Sequence, residues 1–551
     1  MTILNDHPIL VAVVVLLFSY VVRVIYNTVQ MRRFMRDKPG PPHHPIFGHL
    51  QAMGEISQAL PKRVHPHVFA YHLQKKYNLG QVFYLDLTPV SDAMIINLSP
   101  EAGQDIAQNS GLHKHPKVGK FLDPLLGEGN MVTSDGAQWK KWRSVFNPGF
   151  ALQHLMTQVP LIVDCTNIYV QNLEKQVVKG EVFRLEDEAT KVTIDIIGKV
   201  VCDFEFKTLT ADSLFLDYMR KALSWMPDTQ SFNPFHIYNP IRPLMLRYYK
   251  WRLDQFIGSI LDERFSTRST SEPKTRRKAG IDLALESWFK ENAGQDVDSK
   301  TATMDPEFRK YAINQLNTLV FAGHDTTAST ICYAYYLLGK NPSALFKIRA
   351  ELDSIFGPGV NASSQLVSDP YLINKCEYVL ATVKETLRMF GPASTARIGR
   401  RDYFIRDPDT GTMFPTDDLL VWTPSSSMGR LPNLWPEPDK FNPDRFMPDN
   451  ADKVVPNAWR PFEKGPRNCI GQELAMLELK IMLALTIREF DICGAFDELK
   501  ELEDDGSLWT KDSSFQTGPQ QCYGDPAYQV LLAAAKPREG MPVRITKRAM
   551  R

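Results

Sequence analysis

Cys469 lies in Phe462-Glu463-Lys464-Gly465-Pro466-Arg467-Asn468-Cys469-Ile470-Gly471, directly before a helix-like stretch over 472–487. A thiolate so placed can take an axial position on a haem iron. It is the haem ligand that pushes electron density toward the metal and favours O–O cleavage. Gly465 and Gly471 would let backbone come close to a flat cofactor and to the sulfur. Arg467, two residues before the cysteine, is suited to face a haem propionate. The plain alternative is a buried structural cysteine beside a turn, since cysteine is often buried.

A second constellation, Ala322-Gly323-His324-Asp325-Thr326-Thr327, falls inside a long candidate helix over roughly 306–338. Gly-x-Asp-Thr in mid-helix is costly by propensity, so it asks for a reason. Gly323 would open room for a bulky planar ligand, Thr326 could hydrogen-bond iron-bound oxygen, and Asp325 could relay protons through water. A helix distorted by local Thr-to-backbone bonding is the alternative. His324 invites reading as an iron ligand, but Cys469 is far stronger, and a polar pocket or surface position suits the histidine. Glu385-Thr386-Leu387-Arg388 sets a carboxylate and a guanidinium on one helical face, with Arg445 following in Phe441-Asn442-Pro443-Asp444-Arg445-Phe446. Two arginines can share one carboxylate. Trp139 and Arg143, four apart in Trp139-Lys140-Lys141-Trp142-Arg143, share a face of a helix starting after Ser134-Asp135.

The elements that must position these residues are mostly helical. Short strands are expected at 82–87 and 93–96, and two more, 528–532 and 543–545, around a turn at 537–542. The polar, basic stretch 268–278 and the acidic run 498–505 read as exposed loops. No repeat is evident. A formal charge of +1 over 551 residues argues against nucleic acid as a partner. Seven cysteines without a Cys-x-x-Cys pattern point to neither a disulfide framework nor a zinc site, and free thiols fit a reducing compartment.

At the N-terminus, residues 9–22 are almost wholly apolar, and the run continues past Arg23 to Tyr26. That length suffices for one spanning helix, with Arg23 snorkelling at its edge. Arg32, Arg33, Arg36 and Lys38 follow the segment, which predicts a cytosolic body. A cleaved signal peptide is the competing reading, but the basic start and small-residue cleavage site are missing. Pro39-Gly40-Pro41-Pro42 is a stiff break. The expected division is an anchor over 1–30, a basic, proline-rich hinge over 31–42 and a catalytic domain over 43–551. With the body in the cytosol, the acceptor patterns at Asn97 and Asn361 should stay unglycosylated.

Taken in order, these motifs resemble those of the cytochrome P450 family, and the general appearance resembles fungal microsomal members of secondary metabolism. The resemblance implies a mainly α fold with small β-sheets, the cytochrome P450 fold, preceded by a single N-terminal transmembrane helix. It implies haem b held by Cys469, with Phe462, Trp139, Arg143, Arg397 and Arg467 around the cofactor and its propionates. Thr326 and Asp325 would deliver protons, while Glu385, Arg388 and Arg445 would form a buried structural network. No flavin domain follows Cys469, so NADPH and flavins would act through a separate NADPH-cytochrome P450 reductase, with cytochrome b5 as a further partner. Lys140, Lys141 and Lys464 would offer that acidic partner a basic face.

The implied activity is insertion of one oxygen atom from O2 into a lipophilic substrate by a single-pass protein of the endoplasmic reticulum membrane. Family position maps the pocket roof to 112–126, 319–322 and 393–396, with hydroxyls at Ser394 and Thr395. Such a lining suits a polyketide, terpenoid or alkaloid, with fatty acids and xenobiotics as alternatives. A haem-thiolate isomerase or dehydratase needing no external electrons, and a non-enzymatic haem-binding scaffold, are the competing classes. The Pro-broken segment 226–243, with Trp225, Phe232, Phe235, Ile237, Tyr238, Ile241 and Leu244, is a candidate second membrane contact.

Overall fold

The computed structural model describes residues 8–227, 239–268, 278–292, 304–502 and 518–548. Most of the 226–243 and 268–278 segments, and the end of the acidic run, lie outside the described residues. The helices that bear on function are α1 (Pro8–Met35), α2 (Pro100–Gln108), α3 (Gly136–Phe146), α4 (Leu185–Ile197), α5 (Ile241–Arg268), α6 (Pro306–Lys340), α7 (Glu377–Met389) and α8 (Gln472–Thr486).

α6 is the axis of the body. Asp305 caps it by accepting from the Phe308 N–H, and Pro306 stands in the first turn, where a missing N–H is harmless. It is buried on nearly every face from Ala312 to Leu338, as a helix enclosed by others must be. Its neighbours include α4, α5, α7 and α8. Small residues set the approach: a Cβ on Gly323 would meet Ile197 Cδ1 at 2.7 Å, and one on Gly339 would meet the Ile492 carbonyl oxygen at 2.2 Å. Gly323 thus makes room for α4, a neighbour that the sequence did not reveal.

Eleven short strands are described. β1 (Val82–Leu85) and β2 (Met94–Asn97) are antiparallel; β2 runs parallel to β7 (Leu420–Thr423), which carries β4 (Thr395–Ile398) antiparallel on its far side. β3 (Phe183–Arg184), β11 (Pro542–Lys547) and β8 (Phe490–Gly494) form a second sheet, and β5 (Phe404–Arg406) pairs β6 (Met413–Pro415). β1 stops short of the expected 87 because the Asp86 side chain folds back to accept from the Thr88 N–H. At the C-terminus, β9 (Gln529–Leu532) pairs β10 (Ala534–Pro537) through Ala533 at φ 63°, while β11 joins the second sheet. The expected two strands around 537–542 are therefore three, because nothing in Leu532-Ala533-Ala534 marks a turn. The described start of the acidic run is a 3-10 turn, Phe496–Glu501, rather than a loop, and Glu498 pairs with Arg544.

α1 includes a segment, Ile9–Met35, that is long and apolar enough to cross a membrane, and its apolar stretch of 18 residues has a mean hydropathy of 2.6 with none of that stretch buried. Asn97 is fully buried and bonds Ser99 and Thr423, and Asn361 caps the helix Ala362–Ser368, so both acceptor patterns are engaged in the fold.

Candidate active site: a thiolate loop and its cation cluster

The loop before α8 is set by its backbone. The Cys469 N–H donates to the Phe462 carbonyl at 2.9 Å, and the Asn468 N–H to that of Gly465 at 3.1 Å. Gly465 sits at φ 73°, where a Cβ would lie 2.4 Å from the Ala107 carbonyl oxygen in α2, so only glycine fits. Gly471 lies beside the sulfur, but a Cβ there would meet Cys469 Sγ at 3.9 Å, an ordinary contact, so close approach does not demand glycine at this position. Cys469 has accessible surface although protein surrounds it densely, as at the floor of a cleft. Burial pushes its thiol up, while the Gly471 and Gln472 N–H groups and the Arg143 charge pull the other way. Iron binding would supply the charge needed to hold the thiolate.

Cations gather beside this loop. α3 brings Arg143 to the Asn468 carbonyl at 2.7 Å and to Asn468 Oδ1 at 2.8 Å. Arg467 lies over the Trp139 ring at 4.4 Å, donates to the Ser134 carbonyl at 2.8 Å and pairs with Asp135 at 3.1 Å. β4 carries Arg397, 4% exposed, which donates to the Leu112 carbonyl at 2.9 Å, while its Nε has no hydrogen-bond partner. Lys114 forms an isolated bridge with Arg397 and donates from Nζ to Thr395 Oγ1 at 2.7 Å.

The electrostatics record too few anions. Burial, then the Arg397 and Arg467 charges, push Lys114 down to about 7. Burial pushes Arg467 down to about 10, against the pull of Asp135 and with the help of Arg397 and Arg143. Asp135 and Glu463 are the carboxylates that oppose this crowding, and Glu463 is held by Arg460. Four crowded cations and an orphaned guanidinium nitrogen fit the two propionates of haem b, and the thiol fits its iron. Lys114 was invisible in the sequence: His113-Lys114-His115 matches no motif, and only the bridge to β4 brings it in.

On α6, Thr326 is half-buried and donates to the Ala322 carbonyl at 2.9 Å, and Thr330 does the same to Thr326. The local Thr-to-backbone bonding weighed as an alternative is thus present, in a helix that stays continuous. Asp325 is 1% exposed and pairs with Lys536 of β10 at 2.8 Å, and Lys536 pairs at 2.5 Å with Glu186 of α4. Burial alone would lower Lys536, but the two carboxylates more than offset it and the net direction is up. Lys536 was also missed, because it acts from a hairpin that is remote in sequence. His324 is buried, with Nδ1 2.7 Å from the Val320 carbonyl oxygen, and burial lowers its pKa; it is neither a surface nor a pocket residue.

The remaining site residues separate in the same way. Glu385 is fully buried, meets Arg388 through two bonds of 2.7 and 2.8 Å, accepts from the Asn442 N–H at 2.9 Å and lies 3.3 Å from Arg445 Nε. Asp444 instead takes Lys347 at the surface. Phe462 packs on Trp459 with ring centroids 6.0 Å apart. Lys140 and Lys141 are exposed, but Lys141 pairs with Glu291 at 2.8 Å, and Lys464 is half-buried. Ser394 accepts from Trp422 Nε1 at 2.9 Å and Thr395 accepts from Lys114, so both proposed pocket hydroxyls are already engaged.

The sequence profile of the family described as Cytochrome P450 matches residues 39–517. Cytochrome P450 monooxygenase polC of Polytolypa hystricis is 34% identical over 94% of this chain and 91% of its own length. Cytochrome P450 monooxygenase acrF of Aspergillus aculeatus is 32% identical, over 89% of this chain and 98% of its own. The crystal structure of the cytochrome P450DA heme domain superposes with a TM-score of 0.69 at 19% identity, covering 93% of this chain and 98% of that one, which bears on fold alone. Sequence and architecture agree: the chain belongs to the cytochrome P450 family, the haem-thiolate monooxygenases that draw their electrons from an external reductase.

Proposed function

We propose that this chain is a single-pass protein of the endoplasmic reticulum membrane that oxygenates a lipophilic intermediate of fungal secondary metabolism. Residues 1–30 act as its anchor, 31–42 as its hinge and 43–551 as its catalytic domain, which faces the cytosol. The observation that carries the catalytic reading is Cys469, exposed beside four crowded cations, Lys114, Arg143, Arg397 and Arg467.

Haem b bound there would activate O2, so that one oxygen atom enters the substrate and the other leaves as water, with two electrons from NADPH and two protons. Cys469 would hold the iron through its sulfur, with the N–H groups of Gly471 and Gln472 and the Arg143 charge favouring its thiolate. Arg143, Arg397, Arg467 and Trp139 would orient the cofactor, with Lys114 as a further cation and Phe462 lining the loop. Thr326, half-buried at mid-α6, would present a hydroxyl to the pocket. Asp325 would hold the proton supply behind it, fixed by Lys536. Glu385, Arg388 and Arg445 would keep the cysteine side rigid. Electrons would arrive from NADPH-cytochrome P450 reductase, with cytochrome b5 as a second donor.

Fungal relatives of similar length support the metabolic setting. The exposed helix face Ile241, Leu244, Tyr248 and Trp251 of α5 supports membrane contact next to the 226–243 segment. The test is reconstitution with reductase and an extract from a strain lacking the gene. The expected product is one oxygen atom heavier than its precursor and forms only with NADPH and reductase. Product without either would instead favour the isomerase or dehydratase reading. Thr326→Ala should keep the cofactor and release more hydrogen peroxide per NADPH consumed; unchanged product per NADPH would remove Thr326 from the proton role.

A further inference from the structure

The basic and proline-rich stretch after the apolar helix reads as a hinge with a stiff break, set apart from the body, but its contacts are those of a packed core. Arg32, near the end of α1, is 6% exposed. Its Nε donates to the Ile46 carbonyl at 3.2 Å, Nη1 to Thr88 Oγ1 at 3.2 Å and Nη2 to the Thr88 carbonyl at 2.5 Å. Its guanidinium also pairs with Asp86, which is fully buried. Asp86 is held in turn by His43 Nε2 at 3.1 Å and by the Thr88 hydroxyl at 2.7 Å. Burial would raise its carboxyl, but Arg32, Thr88 and His43 more than offset that and the net direction is down. Gly48, at φ 57°, leaves the space this arginine fills, since a Cβ there would lie 2.6 Å from the guanidinium carbon. Met35 is fully buried and clusters with Val82, Tyr84 and Ile95, and the Tyr84 N–H donates to the Pro39 carbonyl at 2.8 Å.

Arg32 therefore ties three pieces together: the helix, the turn at 44–48 and the turn at 88–90. Those turns present Ile46 at 71%, Phe47 at 48% and Val90 at 60% exposure. Depth follows from helix geometry. At about 1.5 Å per residue, a span starting at Ile9 leaves a core of ~30 Å near Val29, so Arg32 lies roughly one turn beyond, among the headgroups. Ile46, bonded to Arg32 through its carbonyl, is held at the same level. Arg33 and Arg36 are exposed beside it, the charge that anionic headgroups attract.

We propose that the last turn of α1 is welded to the catalytic body through Arg32 and Asp86, and that the weld presses the turns carrying Ile46, Phe47 and Val90 into the lipid headgroup layer. The anchor then fixes the tilt of the body on the membrane instead of tethering it loosely. This rests on α1 being a retained membrane anchor.

The test is photolabelling of the full haem-loaded chain, in vesicles of phosphatidylcholine and phosphatidylserine that carry a photoreactive group near the headgroup or deep in the acyl chain. Modified peptides are mapped by mass spectrometry. Deep labelling of α1 together with headgroup-level labelling of both turns is the expected result. Deep labelling of α1 without labelling of the turns would overturn the contact and leave the anchor standing. No deep labelling of α1 would overturn the anchor and the proposal with it. Arg32→Gln should cut turn labelling several-fold while α1 labelling holds. Arg32→Gln with Asp86→Asn, which leaves no buried charge unpaired, should do the same if the single variant misfolds. Unchanged turn labelling in a folded variant, judged by its haem spectrum, would overturn the weld.

Discussion

Replacing Lys536 with methionine isolates the buried charges that hold Asp325. Lys536 is 2% exposed, between Glu186 at 9% and Asp325 at 1%. Methionine keeps most of the apolar stem, so the main loss is the shared cation. Removing one partner of a buried ion pair costs about 3–5 kcal/mol, a large part of a net stability of roughly 5–15 kcal/mol. The sign of the pH dependence discriminates further. In the native protein, burial would raise Glu186, but Lys536 more than offsets it and the folded carboxyl titrates below its unfolded value. That contribution is present above about pH 4.3 and is lost as pH falls through the lower folded value. In Lys536→Met the main lowering cation is gone, and burial with the facing carboxylate should outweigh the Thr190 hydroxyl and the Arg220 charge that remain, so Glu186 should titrate above its unfolded value. The variant should therefore gain stability on acidification from pH 8 to 5, where the parent gains none from Glu186. Urea unfolding in detergent, followed by circular dichroism at several pH values, reads both effects. Adding Glu186→Gln should recover part of the loss. A variant within about 1 kcal/mol of the parent at pH 7.5, or one that weakens on acidification, would refute the reasoning, because only an exposed pair is worth that little.

Glu385→Gln should cost about 3–5 kcal/mol and speed haem loss, since it strands the fully buried Arg388. Lys347→Ala, which breaks the half-exposed pair with Asp444, should change urea stability by less than about 1 kcal/mol. Lys114 titrates at about 7 in the cofactor-free fold, well below its unfolded value of about 10.4, so raising the pH through that window stabilises this form. Propionates beside Lys114 would raise it again, so haem binding takes up a proton and weakens as pH rises above 7, by at most about tenfold per unit. Haem transfer to an acceptor protein should show that slope in the parent and lose it in Lys114→Met.

What was legible in the sequence was local. The decapeptide around Cys469 carries its own turn chemistry in Gly465, and α6 was expected over nearly its full length, roughly 306–338 against Pro306–Lys340. Glu385 and Arg388 were readable because one helical face brings them together. What escaped depends on chain crossings that no spacing records. Lys536 reaches Asp325 and Lys114 reaches Thr395 only after distant strands pair. The approach of α4 to Gly323 also escaped, because a small residue does not say which neighbour needs the space. Arg32 read as one of several positive-inside charges, and only its burial against Asp86 separates it from Arg33 and Arg36.

The central claim is that Cys469 is the thiolate ligand of a haem held by this cation cluster. It is tested most directly by the absorption spectrum of the reduced, carbon-monoxide-treated protein. The account predicts a thiolate-type Soret band from the intact chain and its loss in Cys469→Ala, with haem content measured separately in both. A haem-loaded intact protein without that band, or a Cys469→Ala variant that keeps it, would contradict the account.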